Sequence, residues 1–238
     1  MGKVVCYVLC PTAADLKAAK PRFTDPIFKP IVIPQTHWLE AIMYISELEK
    51  REHEWNDAEF VGCVAHTAWI KQPNLGMVND TIARGRQTKS DIIALMGGGR
   101  CRMVDNGSKY HGPAFRLAWE KAWAMMGYDK MQSNKVVDSF FCNYWLAKPN
   151  VMRFYCQHMR YFAARCGWMQ VRNSVFWRNA SYANTRQTRE NMTKLFGQPF
   201  FPMMPFIVER IAPQWAAIHG MRVTFLAMFP IRRVAVTK

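Results

Sequence analysis

The stretch VVCYVLCPTAAD (residues 4–15) decides the fold of this 238-residue chain. It begins with an almost continuously apolar run, which is typical of a strand that is buried on both faces of a sheet. We predict that this strand covers Lys3–Cys10. Thr12 and Asp15 then form a capping box in which Asp takes the acidic position, so a short helix is predicted to continue to about Lys20. A buried strand that leads directly into a helix is the first unit of an α/β fold.

Strands and helices continue to alternate along the chain. Short apolar runs predict strands at Phe28–Ile33, Glu59–Ala65, Asp91–Met96 and Met221–Met228, and apolar periodicity predicts helices at Thr36–Glu54, Gly112–Met126 and Pro149–Cys166. This order predicts one α/β domain over residues 1–238, with a mostly parallel central sheet flanked by helices. Such sheets bind ligands at the carboxyl ends of their strands. Pro11–Ala14, Ala65–Lys71 and Gly97–Arg102 are therefore expected around one crevice, with Gly97–Gly99 as a flexible turn.

The composition narrows the class of protein. Half of the residues are hydrophobic, which excludes disorder of the whole chain. No apolar run approaches the roughly 18–20 residues of a membrane-spanning helix, and the first residues do not have the pattern of a signal peptide. The 7 cysteines include no CxxC pair and no disulfide framework. We therefore expect buried free thiols in a cytoplasmic protein without a membrane span.

The net charge of +15 indicates a partner that carries phosphate or acidic groups: nucleic acid, a nucleotide-sugar diphosphate or an acidic glycan. The window 151–198 holds eight basic residues and one acid, together with many aromatic residues. Within it, the segment 172–198 is predicted to be a basic insertion or loop on the acceptor side, where Arg178, Arg186 and Arg189 contact phosphates and Phe176 and Trp177 offer rings for base stacking. A solvated basic face that keeps the protein soluble is the alternative.

Two local clusters contain candidate catalytic acids. Asp138 lies in a run that continues through Asn143 to two large aromatic residues, and Glu209 lies beside Arg210 in an apolar segment. A carboxyl group among apolar residues is often partly buried, which raises its pKa and suits it to proton transfer. A structural ion pair is the alternative interpretation of Glu209 and Arg210.

Four stretches, in this order, resemble a group of viral and bacterial glycosyltransferases. They are AEFVGCVAHTAWIK (58–71), YHGPAFRLAWEKAWAMMGY (110–128), FFCNYWLAKPNVMRFY (140–155) and PFIVERI (205–211). The resemblance spans residues 37–211, and the NYW…P..M and PFIxER motifs are its most specific parts. It implies a GT-A-like fold, a nucleotide-sugar donor, of which a UDP-sugar is favoured, and transfer of a glycosyl group to a hydroxyl. A viral member of the group would act in the host cytoplasm.

The resemblance, together with the strand-end loops, implies a set of site residues. Asp138 and Glu209 are expected to be catalytic: Asp138 would deprotonate the acceptor hydroxyl and Glu209 would bind sugar hydroxyls, or the two acids would exchange these roles. The remaining expected site residues divide into a donor group and an acceptor group. The donor group is Thr12, Lys71, Asp91, Arg100 and Arg102; the acceptor group is Asn143, Tyr144, Trp145, Arg178, Arg186, Arg189 and Arg210.

The usual DxD motif, which holds a divalent cation against the donor diphosphate, is missing. Mn²⁺ or Mg²⁺ therefore stays an open possibility without assigned ligands, and Lys71, Arg100 and Arg102 are expected to neutralise the leaving diphosphate. The basic segment favours DNA as the acceptor, with a hydroxymethylated pyrimidine that is flipped out of a phage-type duplex. A glycan or protein acceptor is the first alternative, and a non-catalytic nucleic-acid-binding module is the second. The sequence does not indicate the oligomeric state.

Overall fold

The computed structural model describes residues 2–167, 174–181 and 186–226. The strands in this part of the chain are β1 (Val4–Cys10), β2 (Phe28–Val32), β3 (Phe60–Ala65), β4 (Ile92–Ala94), β5 (Gly97–Arg102), β6 (Val136–Phe140), β7 (Trp145–Ala147) and β8 (Val223–Phe225). The α-helices are α1 (Ala13–Ala19), α2 (Leu48–Lys50), α3 (Glu52–Trp55), α4 (Ala68–Lys71), α5 (Val78–Gln87), α6 (Met103–His111), α7 (Ala114–Met125), α8 (Lys130–Ser133), α9 (Pro149–Cys166), α10 (Arg186–Phe196) and α11 (Met204–Ile218). Leu39–Ala41, Pro73–Met77 and Val175–Trp177 are 3₁₀ turns, and Met43–Glu47 is a π-helical turn.

The central sheet has the strand order β2-β1-β3-β7-β4-β8 among the described residues. β1 pairs in parallel with β2 and β3, and β4 pairs in parallel with β8, whereas β7 runs antiparallel between β3 and β4. The prediction of an α/β fold with a mostly parallel sheet is thus confirmed. β7 is the exception, because it runs antiparallel to both of its neighbours.

Apolar side chains cover both faces of this sheet. Alternate residues of β1 enter different cores, with Tyr7 in the larger core beside α7, α9 and α11, and with Val8 in the smaller core beside α1 and α5. Side chains alternate between the faces of a strand, so a strand with a continuous apolar run is stable only between two covering layers. The buried run in β1 therefore predicted the layered fold correctly.

Short-range sequence signals predicted two helices correctly. The Thr12 hydroxyl accepts a hydrogen bond from the Asp15 backbone N–H, and the Asp15 carboxylate accepts one from the Thr12 backbone N–H, so the predicted capping box begins α1. α9 has the predicted bounds. Pro149 is at its start, where a missing N–H costs nothing, and Gly167 follows its end with φ +48° in the left-handed region.

Two predicted elements are different in the structure. Residues 36–54 form a series of short turns instead of one helix, because Leu39 has a φ of +49° and Arg51 leaves helical geometry at φ −106°. Gly97–Gly99 is part of β5 and not a flexible turn. β5 pairs antiparallel with β6, and a register shift lies between Gly97 and Gly99. This two-stranded ladder is separate from the central sheet.

All seven cysteines are free thiols. The prediction that they are buried is confirmed for five of them and wrong for Cys101 and Cys142, which are partly exposed.

Candidate functional site

A cleft of about 860 Å³ opens at the carboxyl edge of the central sheet. Pro11 at the end of β1, Ile33 at the end of β2 and His66 at the end of β3 line it, together with Tyr144 just before β7. β1 has β2 on one side and β3 on the other, so the chain connections diverge between β1 and β3. Open α/β sheets bind their ligands in the crevice at such a point of divergence. The position of the cleft is therefore that of a ligand-binding site.

Four other elements contribute to the walls of the cleft. The 3₁₀ turn Leu39–Ala41 contributes Glu40, the end of α6 contributes His111, and α11 contributes Glu209 and Arg210. α10 also reaches the cleft, with Met192 and Leu195 among its apolar residues and Lys194 as a cation. Charged groups and apolar surface thus line the same cleft.

Backbone strain is concentrated here. Leu39, Cys142 and Asn143 have φ values of +49°, +60° and +56°, and all three line the cleft. Cys142 and Asn143 are the central residues of a turn in which the Tyr144 N–H donates to the Phe141 carbonyl oxygen over 3.2 Å. A side chain in the left-handed region costs of order 1–3 kcal/mol and persists where the surroundings enforce it, often at a functional site. The turn between β6 and β7 (residues 141–144) is such a place.

The Glu209 carboxylate is held at the floor of the cleft. The Cys142 backbone N–H donates to its Oε1 over 2.8 Å, and Nη1 of Arg210 lies 3.4 Å from its Oε2. The strained turn therefore positions the carboxylate. The Glu209 side chain keeps 21% of its surface exposed, so a ligand can reach it.

Glu40 is the second carboxyl group of the cleft. Burial raises its pKa, and the nearby carboxylate of Glu209 raises it further, whereas Lys71 and His66 oppose the shift. A second negative charge beside a buried carboxyl group disfavours its ionised form, which is why Glu209 adds to the effect of burial on the pKa of Glu40. The cleft thus pairs a carboxylate that has two hydrogen-bond donors with a carboxyl group that resists ionisation.

Arg210 is buried beside this pair, with 6% of its side chain exposed. Its Nε donates to Asn106 over 3.0 Å and its Nη1 to the Phe206 carbonyl oxygen over 3.1 Å. Burial lowers the pKa of Arg210, and the Glu209 carboxylate acts in the opposite direction. The guanidinium group lies near the His111 imidazole. Burial, and then the positive charge of Arg210, lower the pKa of His111 to about 4.

Lys71 supplies an accessible cation. It is the last residue of α4, and its Nζ lies 6.0 Å from the ring centroid of Tyr144. Its positive charge also acts on Glu40 and Cys142. Lys71 thus places a positive charge close to Tyr144 and to the carboxyl group of Glu40.

The structure brings together six of the residues that the sequence predicted for the site. They are Thr12, Lys71, Asn143, Tyr144, Glu209 and Arg210. Thr12 lines the cleft, but its hydroxyl group is hydrogen-bonded to Asp15 in the capping box of α1.

Other predicted donor and catalytic residues lie away from the cleft. Asp91 is at the opposite end of β4, where it pairs with Lys148 over 2.9 Å. Asp138 and Arg100 face each other across the β5–β6 ladder at 3.5 Å, with 60% and 73% of their side chains exposed. Arg102 pairs with Asp105 on the same side of the molecule. The expected meeting of Gly97–Arg102 with the other strand ends was therefore wrong, because these residues pair with β6.

Some of the residues predicted for the acceptor site also lie away from the cleft. Trp145 is fully buried and stacks on Tyr44 at 5.2 Å between ring centroids, so it is a core residue. Arg178, Arg186 and Arg189 are exposed but are not among the residues that line the cleft.

The segment 172–198 is also different from the predicted loop. It contains the helix α10, whose residues Asn191 and Lys194 reach the cleft. Phe176 and Trp177 are buried, and their rings are therefore not available to stack on bases. Arg172 lies outside the described residues.

Sequence reasoning missed Glu40, His66 and His111. Glu40 carried the same signal as Glu209, an acid between apolar residues, but its assignment to a regular helix concealed it. His66 directly follows the predicted strand Glu59–Ala65, and His111 directly precedes the predicted helix Gly112–Met126, so their positions beside element ends were the available signal.

In residues 2–167, 174–181 and 186–226, no group of three or more His, Cys, Asp or Glu side chains is arranged to hold a metal ion. We therefore assign no residues to a divalent cation and derive no step through a metal. No helix within these ranges is long and apolar enough to cross a membrane.

Neither a protein-family model, nor a curated protein, nor a solved structure matches this chain.

Proposed function

We propose that this protein is a glycosyltransferase of GT-A-like fold that transfers a sugar from a nucleotide-sugar donor to a hydroxyl acceptor. One observation carries the proposal: the cleft at the point where β1 and β3 diverge contains an accessible cation, Lys71, and a pair of carboxyl groups, Glu40 and Glu209. Glycosyl transfer from a sugar diphosphate needs positive charge on the departing phosphate and a carboxylate at the acceptor hydroxyl.

The walls of the cleft suggest where the donor lies. Pro11, Gln35 and His66, beside the ends of β1, β2 and β3, form the part of the cleft that suits a nucleoside. We assign the diphosphate to Lys71. We assign the sugar to Glu209 and the strained turn at residues 141–144. A UDP-sugar is the favoured donor.

In a single displacement, Glu209 accepts the proton of the acceptor hydroxyl. The acceptor oxygen bonds to the anomeric carbon while the bond from that carbon to the phosphate oxygen breaks, and the electron pair leaves with the nucleoside diphosphate. Lys71 stabilises the charge that develops on this leaving group. The second carboxyl group of the site is Glu40, whose raised pKa disfavours its ionised form, and not Asp138.

We propose a hydroxymethylated pyrimidine in DNA as the acceptor, ahead of a glycan. The support is α10, which borders the cleft through Lys194 and carries the exposed side chains of Arg186 and Arg189. Cations on a helix beside the cleft can contact the phosphates that flank a flipped base. The buried rings of Phe176 and Trp177 leave recognition to charge and to the cleft itself.

A thermal-shift panel tests donor binding. UDP-, GDP-, ADP- and CMP-linked sugars at millimolar concentration, with and without Mn²⁺, should include at least one that raises the Tm, since a ligand bound only by the native state adds RT ln(1 + [L]/Kd). Lys71→Ala should raise the Kd of that donor by about 10- to 150-fold, because a hydrogen bond to a charged group contributes about 1.5–3 kcal/mol. Arg100→Ala is the matched control, since Arg100 is exposed on β5.

Two results would count against the proposal. The absence of any shift for the wild-type protein would remove the support for a donor site. Equal weakening by Lys71→Ala and Arg100→Ala would show that general positive charge, and not this cleft, binds the nucleotide.

A further inference from the structure

The side-chain amide of Asn143 is a buried polar group that lines the cleft. The residue is 7% exposed, and its Oδ1 is buried without a hydrogen-bond partner among the described residues. A buried polar atom that lacks a partner costs about 1–3 kcal/mol. The preceding residue adds backbone strain, since φ of Cys142 is +60°. Both costs fall on one turn that lines the cleft, which indicates that a ligand supplies the missing hydrogen bond.

The surrounding contacts hold this amide in place. The Asn143 carbonyl oxygen accepts a hydrogen bond from the Tyr44 hydroxyl over 3.1 Å, which fixes the backbone of the turn from below. The preceding residue, Cys142, donates its N–H to Glu209. One rigid turn therefore positions the Asn143 side chain and the Glu209 carboxylate in the same cleft.

The two groups together indicate the chemistry of the missing ligand. An ionised carboxylate only accepts hydrogen bonds, whereas an amide accepts at its oxygen and donates at its nitrogen. A hydroxyl group can donate to Glu209 and can pair with either end of the Asn143 amide. A ligand with hydroxyls on neighbouring carbons would satisfy both, and this is the pattern of a sugar ring. Phosphate oxygens would be repelled by Glu209, so the nucleotide part of a donor does not fit here.

Resting on the proposed function, we propose that Asn143 is the residue that binds a hydroxyl of the transferred sugar, in a subsite formed by the residue 141–144 turn and Glu209. The subsite recognises the glycosyl part of the donor, while Lys71 and the strand ends recognise the nucleoside diphosphate.

Asn143→Gly tests the subsite with little risk to the fold. Glycine adopts positive φ without steric cost, so the turn is retained while the amide is removed. Lys89→Gly is the matched control, because Lys89 also has a positive φ, of +52°, and is exposed outside the cleft. Urea unfolding of each variant checks that the fold is intact.

The measurement is the dissociation constant by titration calorimetry for four matched pairs: UDP and UDP-glucose, GDP and GDP-mannose, ADP and ADP-glucose, CMP and CMP-sialic acid. The decisive quantity is the ratio of Kd for the sugar nucleotide to Kd for the bare nucleotide. For the pair that binds the wild-type protein, Asn143→Gly should raise this ratio by about 3- to 10-fold, since a net hydrogen bond contributes about 0.5–1.5 kcal/mol. Lys89→Gly should leave the ratio within about twofold of wild type.

The outcomes separate the two proposals. An unchanged ratio in Asn143→Gly, with nucleotides still bound, overturns the subsite and leaves the glycosyltransferase proposal intact. Equal weakening of both members of a pair also overturns it, because Asn143 would then support the nucleotide site as a whole. If the wild-type protein binds none of the eight compounds, the glycosyltransferase proposal fails, and the subsite fails with it.

Discussion

Acidification should destabilise the protein through His111, a buried imidazole at the cleft. It is 3% exposed and stacks on Phe206 at 3.9 Å between ring centroids. Burial and the charge of Arg210 lower its pKa from 6.5 to about 4, whereas the backbone of Ala180 forms a hydrogen bond with it that acts in the opposite direction. The folded protein therefore resists protonation of His111, and the unfolded chain does not.

The sign and size follow from linkage. Because the folded pKa is depressed, the contribution of His111 is fully present above pH 6.5 and is lost as the pH falls toward 4. A depression of roughly 2.5 pKa units corresponds, at about 1.4 kcal/mol per unit, to a loss of about 3 kcal/mol by pH 4. Such a loss is a large part of the roughly 5–15 kcal/mol that stabilises a typical native protein.

Urea unfolding at several values between pH 7.5 and pH 4 measures this loss. His111→Gln removes the titrating group and keeps polar atoms in its place, so the free-energy advantage of the wild-type protein over this variant should shrink by about 3 kcal/mol over that interval. His53→Gln is the control, since His53 is exposed. Parallel pH profiles for the wild-type protein and His111→Gln would refute the reasoning.

Three further predictions concern a carboxyl group, the core and the basic surface. Glu40→Gln should raise the Tm at pH 8 and leave it unchanged at pH 4, because an acid whose folded pKa is raised destabilises the native state only at a pH where it must ionise; an equal gain at both values would contradict this. Trp145→Ala should cost about 3–5 kcal/mol in urea unfolding, as expected for a fully buried aromatic side chain, and a loss below about 1 kcal/mol would show that Trp145 is not a core residue. Changing Arg178, Arg186 and Arg189 together to Ala should reduce the log–log salt slope of duplex binding by about 0.9 for each lost phosphate contact, measured by electrophoretic mobility on duplexes with and without hydroxymethylated pyrimidines. Equally weak binding by the wild-type protein and the triple variant would leave a glycan as the acceptor.

The elements that the sequence predicted well depend on local chemistry. The capping box of Thr12 and Asp15 spans only four residues. The apolar run of β1 directly indicates a strand that is buried on both faces. Pro149 and Gly167 mark the two ends of α9 for similar local reasons.

The elements that it missed depend on distant partners. β5 is a strand because Arg100 and its neighbours pair with residues about forty positions later, and nothing in a triple glycine indicates that pairing. β7 enters the sheet through the strained turn at Cys142 and Asn143, two residue types of which only Asn commonly adopts positive φ. The same limit applies to the site. Glu209 was found because its neighbours are apolar, but its neighbour in the cleft, Glu40, comes from a segment of irregular turns about 170 positions earlier.

The most direct test of a glycosyltransferase cleft is slow hydrolysis of the donor without an acceptor. Release of nucleotide from the sugar nucleotide that gives the largest thermal shift should be measurable for the wild-type protein, and the rate should fall by at least about 100-fold in Glu209→Gln, within the usual contribution of general acid–base catalysis. Asp138→Asn, a change on the exposed β5–β6 ladder, should hydrolyse the donor at the wild-type rate. Equal rates for the wild-type protein and Glu209→Gln, or a loss of activity in Asp138→Asn alone, would contradict the assignment of the cleft as the catalytic site.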